Sequence, residues 1–139
     1  MADTIRPIAI AIIRRGDEIL VFKDHDKSRD HTYYRPLGGG IEFSEFAEDA
    51  LKREFIEELN EELTDVRPLT VIENIFILED QMRHELVFVY EASFLDLEAY
   101  RRNNLRIIDD PDIEVHWVPV EQFINHSLAL YPRGLLDLI

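Results

Sequence analysis

Two hydrophobic periods alternate along the chain. Ile8 to Ile13 is apolar at every position, the pattern of a strand covered on both faces. Arg15-Gly16-Asp17 reads as a turn and EILVFKD (18–24) returns as a second strand, which predicts a hairpin. Lys23 to Thr32 is polar and reads as a loop. Tyr33 to Leu37 is extended, because Pro36 disfavours helix in the residue before it. The period then lengthens: Leu51, Phe55 and Leu59 form one stripe at helical spacing, predicting a helix from Glu45 to Leu59. Ser44 is its expected N-cap, and Asn60 its left-handed stop. VRPLTVIENIFILED (66–80) and HELVFVYEASF (84–94) are two long strands joined by a short polar turn around Gln81. Leu95 to Asn104 is polar and holds a short helical piece. DDPDIEVHWVPVEQF (109–123) reads as acidic loop, strand, then Pro119 opening a helix at its favoured first position. PRGLLDLI (132–139) gives a last helical turn or two. This order predicts an α/β fold with a mixed sheet between helical layers, and no linker composition divides residues 1–139 into more than a single domain.

Composition narrows the function classes. The net charge of −14 argues against a nucleic-acid or anionic-membrane binder, which would show a basic surface. An acidic protein that handles phosphates needs divalent cations to neutralise both its own carboxylates and the substrate. There is no cysteine, so disulfides, thiolate catalysis and cysteine zinc sites are excluded. The run IAIAII (8–13) is too short to span a bilayer, and the expectation is a soluble, cytoplasmic protein.

The predicted helix carries an arrangement that stability does not explain. Ala47, Ala50, Glu54, Glu57 and Glu58 share the stripe beside the apolar one. Like charges three and four residues apart destabilise a helix by some tenths of a kcal/mol per pair, and the helix dipole adds a penalty in the last turn. A hard cation with oxygen ligands would account for the cost, and Mg²⁺ characteristically works with substrate phosphates. The plain alternative is a solvated acidic face built from a good helix former. Just upstream, Gly38-Gly39-Gly40 would let backbone approach a ligand closely, or would simply make a bend or bulge.

The combined spacing goes further than either feature alone. Gly39, five residues, Glu45, seven residues, then Arg53-Glu54-Phe55-Ile56-Glu57-Glu58 resembles the Nudix box, Gly-x5-Glu-x7-Arg-Glu-(apolar)-x-Glu-Glu-x-Gly-(apolar). Asn60 stands where that pattern has its second glycine, and Glu61 where it has an apolar residue. Pro36-Leu37 precedes the glycines in the reverse of a common order. WVPVEQF (117–123) is similar to the closing segment of Nudix domains. The resemblance implies an α/β/α sandwich around a mixed sheet, with hydrolysis of a nucleoside diphosphate linked to another group, using Mg²⁺ or Mn²⁺. It makes Glu57 and Glu58 metal ligands, together with the backbone carbonyl of Gly38. Glu54 binds a further metal or helps deprotonate the attacking water, Arg53 orients Glu54, and Glu45 supports them as a further box carboxylate.

The box does not supply the additional carboxylate that family members place elsewhere. Glu85, Asp112 and Glu114 are the candidates, and for each a solubilising surface acid is the plainer reading. Arg35 is a candidate phosphate contact, and Tyr33 and Tyr34 are candidates to stack on a base, with sheet packing the alternative. The substrate expected is a small nucleotide diphosphate derivative of unspecified second group, with no stable nucleic-acid or membrane partner. The long strands between Val66 and Phe94 offer an edge through which a homodimer would form. A catalytically silent nucleotide-binding module and an acidic interaction domain are the competing classes.

Overall fold

The computed structural model describes residues 3–139. Its strands fall into two sheets joined by strands that pass from one to the other. The first sheet contains β1 (Ile5–Ile12), β5 (Gly38–Gly40), β6 (Leu63–Leu78) and β7 (Gln81–Phe94), in the order β5-β1-β7-β6. It is mixed, since β1 runs parallel to β7 while the other pairs are antiparallel. The second sheet is antiparallel, with β2 (Arg14–Arg15), β3 (Glu18–Asp26), β9 (Asp110–Pro119) and β8 (Leu105–Ile107) in that order and β4 (His31–Pro36) also paired to β3. The chain crosses between the sheets at Ile13 and again at Leu37, both fully buried, and Leu37 C=O accepts from Ala11 N–H at 3.0 Å.

The alternation of large and small residues in β1 sets the layers. Ile8, Ile10 and Ile12 enter a core with Val87, Val89 and Phe123, beneath α2 (Val120–Ile124) and the C-terminal turn. Ala9 and Ala11 enter the opposite core, which α1 (Ala47–Leu59) covers with Leu51, Phe55 and Leu59. Small residues under α1 let it approach the sheet closely, so its acidic side stands over β5 rather than out in solvent. The predicted apolar stripe is therefore the buried face of the helix. Helices on both sides of strands give the α/β/α arrangement the sequence predicts. Among the described residues no helix is long and apolar enough to cross a membrane.

Several local expectations change. The Lys23–Thr32 loop is mostly strand: Lys23 to Asp26 pairs in register with Tyr34 to His31, and only a tight turn separates them. Polar residues at the exposed end of a hairpin satisfy water on both faces and need not break it. The helix starts at Ala47 with Phe46 as N-cap and no side-chain cap. Ser44 instead has φ of 69°, and Glu45 N–H closes a turn onto Glu42 C=O at 3.1 Å, because Glu45 is drawn out of the helix by Arg53. Asn60 ends the helix as predicted, with φ 54° and ψ 40° and its N–H on Ile56 C=O at 2.9 Å. The β6–β7 turn is Glu79-Asp80, both at positive φ, the two-residue geometry that matches strand twist. Pro119 is the residue before α2 rather than its first. Glu61, the charged departure from the box pattern, is buried and held by Arg102 at 2.8 Å.

Candidate active site

Three glycines form β5 at the free edge of the mixed sheet, in register with Ile10, Ala9 and Ile8. Two of them are dictated by what lies against them. Gly38 has φ of 154° and a Cβ there would collide with Ala9 C=O, while a Cβ on Gly39 would collide with the Glu54 carboxylate. Side-chain-free backbone is thus what allows a carboxylate of α1 to rest on the strand. Ala11 N–H donates to Leu37 C=O and Ile41 N–H to Pro7 C=O. That alternation turns the carbonyls of Gly38 and Gly40 away from β1. Replacing Gly39 with alanine is expected to push Glu54 off the strand and destabilise the protein by about 1–3 kcal/mol, read as a lower midpoint in urea unfolding.

Arg53 gathers the rest. Its Nε and Nη2 donate to the two oxygens of Glu45, each at 2.9 Å. Nη2 also donates to Gly40 C=O at 3.0 Å, and Nη1 to Glu54 Oε1 at 3.0 Å. Longer contacts of 3.3 and 3.4 Å reach Glu57. One planar guanidinium therefore fixes three carboxylates and the glycine strand, a task its fork geometry suits and a lysine's point charge does not. The same bonds hold Glu45 down at about 2, with the Arg53 hydrogen bond the main cause and the Glu42 N–H bond the next. They raise Arg53 further above its already high ordinary value.

Glu58 is in a different situation. Burial pushes its carboxyl up to about 8, followed by a hydrogen bond with Glu54 and by the charges of Glu54, Glu57 and Asp109. Two carboxyl groups within hydrogen-bonding reach need a proton or a cation between them. Their oxygen donors suit a hard divalent ion such as Mg²⁺ or Mn²⁺. Among the described residues no three acidic or imidazole side chains form a complete cage by themselves. The donor set therefore fits an ion that also takes backbone carbonyl, water and substrate oxygens, which is how Mg²⁺ is usually held. The sign of the pH dependence follows. Glu58 titrates higher folded than unfolded, so without metal the folded state binds the extra proton and stability falls as pH rises from about 4.5 to about 8. Melting in EDTA from pH 5 to pH 9 should show that decline, and added Mg²⁺ should oppose it increasingly at the alkaline end.

The other predicted residues separate into groups. Arg35 and Glu85 pair with each other at 2.9 Å, both well buried. Tyr33 is buried with its hydroxyl donating to Asp24 at 3.0 Å, and burial followed by that neighbouring carboxylate raises it above its usual range. Asp112 is exposed, and Glu114 lies 3.2 Å from His116. The acidic residue of that segment whose charge reaches Glu58 is Asp109. Asp109 is carried there by the β8–β9 turn, which Ile108 N–H ties to Glu58 C=O at 2.8 Å. Sequence reading missed Asp109, although the adjacent pair Asp109-Asp110 was visible. The Arg6 guanidinium packs on Gly40, on the face of β5 opposite to Glu54.

Where the two sheets diverge, a cleft of about 340 Å³ opens between β4 and β6. Its walls include Tyr33, Arg35, Phe76 and Tyr131. Glu79 bridges its outer end, accepting from Lys27 N–H at 3.1 Å and from Ser28 Oγ at 3.3 Å. A second cleft of about 400 Å³ lies at the starts of β1 and β7, with Arg6, Arg83 and Glu85 in its wall.

Comparison with known proteins gives a consistent picture. The model of the NUDIX domain family matches residues 4–138. The nucleoside triphosphatase NudI of Salmonella arizonae is 32% identical over 105 residues, 73% of this chain and 72% of its own length. NudI of Escherichia coli O139:H28 is 30% identical over the same extent. In fold, the chain is similar to a MutT NUDIX hydrolase from Burkholderia pseudomallei (TM-score 0.63, 24% identity, 86% of each chain). It is also similar to a NUDIX hydrolase from Nitrosomonas europaea (TM-score 0.66, 13% identity, 96% of this chain and 85% of that one).

Proposed function

From the premise that this chain belongs to the NUDIX family and is a hydrolase of that family, we propose that it cleaves the diphosphate bond of a nucleoside diphosphate derivative with Mg²⁺ or Mn²⁺ as cofactor. The observation that carries this reading is the Glu54 carboxylate resting on a side-chain-free strand, with Arg53 bonded to it and Glu58 within hydrogen-bonding reach. Glu54, Glu58 and the Gly38 carbonyl would hold the ion, with Glu57 within one helical turn to add a further oxygen. When bound there, a divalent cation neutralises diphosphate charge and acidifies a water molecule. Arg53 engages Glu54 Oε1, which leaves the second carboxylate oxygen for the ion. Glu45 keeps Arg53 in that position. Asp109 is the additional carboxylate outside the box, brought to Glu58 by its turn. The moiety beyond the diphosphate occupies the cleft between β4 and β6, whose size is in the range of small-molecule sites.

The curated relatives are nucleoside triphosphatases, so triphosphates belong beside nucleotide sugars and dinucleotides in the test. Product formation over such a panel, with Mg²⁺ and then with EDTA, should show turnover only with the metal. Turnover unchanged by EDTA would overturn the reading. Silence over the whole panel, with Mg²⁺ still raising the melting temperature, would favour a nucleotide-binding module.

A further inference from the structure

In this acidic chain most arginines hold a carboxylate, as Arg14, Arg15, Arg35, Arg53, Arg67 and Arg102 do at 3.3 Å or less. Among the described residues, Arg6, Arg29, Arg83, Arg106 and Arg133 make no ion pair with a carboxylate within 4.0 Å. Arg6 and Arg83 line the second cleft beside the paired Glu85, while Arg29 and Arg133 line the cleft between β4 and β6 together with its aromatic residues. In a chain of net charge −14, these two guanidiniums give the cleft a local excess of positive charge over its one lining carboxylate, Asp26, and such a cleft attracts an anionic ligand. The remaining charges of that wall are already used. Arg35 is neutralised by Glu85 at 2.9 Å. Asp26 is buried, with Oδ1 accepting from Ser28 N–H at 3.0 Å.

An aromatic surface lies beside the two arginines. Tyr131 and Tyr33 stand 5.2 Å apart between ring centres, and His31 Nε2 is 3.1 Å from the Tyr131 hydroxyl. Arg133 sits over the Tyr131 ring at 5.7 Å, which pre-orients its guanidinium at the mouth. Arg29 enters from the β3–β4 turn on the opposite wall, where Glu79 anchors the neighbouring backbone of Lys27.

We propose that this cleft is a subsite for a second anionic group, carried by the substrate beyond its diphosphate and held between Arg29 and Arg133. The proposal rests on the diphosphate-hydrolase reading for its place in the reaction. The substrate class is then a nucleoside diphosphate derivative whose far moiety bears a phosphate or a carboxylate. Guanidinium forks bind either group in two-pronged fashion, and a planar ring or sugar on that moiety has Tyr131 to lie against.

Two matched pairs test this with the full chain and Mg²⁺. Reduced nicotinamide dinucleotide with and without its 2′-phosphate isolates a phosphate, and UDP-glucuronate against UDP-glucose isolates a carboxylate. In at least one pair the anionic member should have about tenfold higher kcat/KM, and the pair that shows it identifies the group. In the Arg29→Glu/Arg133→Glu protein that preference should collapse towards parity, with circular dichroism matching the wild type. If the double variant does not fold, Arg29→Gln and Arg133→Gln should each reduce the preference. Parity in both pairs for the wild type, or a preference that survives the substitutions, overturns the proposal. If none of the four compounds is turned over, the hydrolase reading is what has failed for them. Calorimetric binding of the same compounds then decides: tighter binding of an anionic member, lost on charge reversal, supports the subsite, and equal or absent binding overturns it.

Discussion

Glu58→Gln is expected to lower turnover about a thousandfold while raising the melting temperature of the metal-free protein at pH 7. Both halves follow from one geometry. Glu58 is burdened by burial, by Glu54 and by further carboxylates, which push it up to about 8. Near neutral pH the unfolded chain holds this group ionised, and folding without a cation must either protonate it or bury its charge. Glutamine has the shape of the protonated acid and removes that cost. The gain should therefore be largest at pH 8 and above and vanish only below about pH 4, where glutamic acid is protonated in both states. The same substitution removes an anionic oxygen from the proposed ion site, so turnover falls although the fold is firmer. Thermal melting in EDTA beside steady-state kinetics in Mg²⁺ separates the two effects. A variant that melts lower than the wild type at pH 8 in EDTA would show that Glu58 serves stability rather than chemistry.

Arg53→Ala is expected to fail in the opposite manner, losing activity and stability together. Arg53 bonds Glu45 through two oxygens and Glu54 through one, and ties both to Gly40 C=O. Without it Glu45 and Glu54 face Glu57 with no positive charge among them, and the link from α1 to β5 is gone. Removing an orienting partner of this kind typically costs about 10- to 100-fold in activity. Arg53→Lys should recover much of the melting temperature and little of kcat, because an ammonium restores charge without the planar fork. Equal recovery of both by lysine would mean that charge alone is what the site needs.

These outcomes rest on contacts that differ in how far sequence could foresee them. The box carboxylates were legible because Arg53, Glu54, Glu57 and Glu58 lie on one turn of a helix whose apolar stripe was itself legible, so spacing alone fixes their neighbourhood. Asn60 was readable for a similarly local reason, a residue tolerant of left-handed backbone standing where the stripe ends. Pairing across the chain was not. Nothing in Ile13 or Leu37 announces that the chain changes sheets there, because a buried strand and a buried crossover share the same apolar pattern. The second sheet and the cleft beside it were missed with them. Arg35 and Glu85 each looked like a candidate ligand group, and only the fold reveals that they neutralise each other. Asp109 stayed hidden because its approach to Glu58 depends on a β8–β9 turn closing onto the helix end through Ile108. Ser44 misled because a good capping residue was weighed without Arg53, which holds Glu45 outside the helix.

The central claim is that Glu54 and Glu58 share a divalent cation, and calorimetric titration of Mg²⁺ into the wild type and Glu58→Gln at pH 7 tests it most directly. Repeating the titration in buffers of different ionisation heat counts the protons released. The account predicts saturable binding to the wild type with release of close to one proton per ion, from a group that titrates at about 8, and loss of both in the variant. Equal affinity in the two proteins, or binding without proton release, would contradict it.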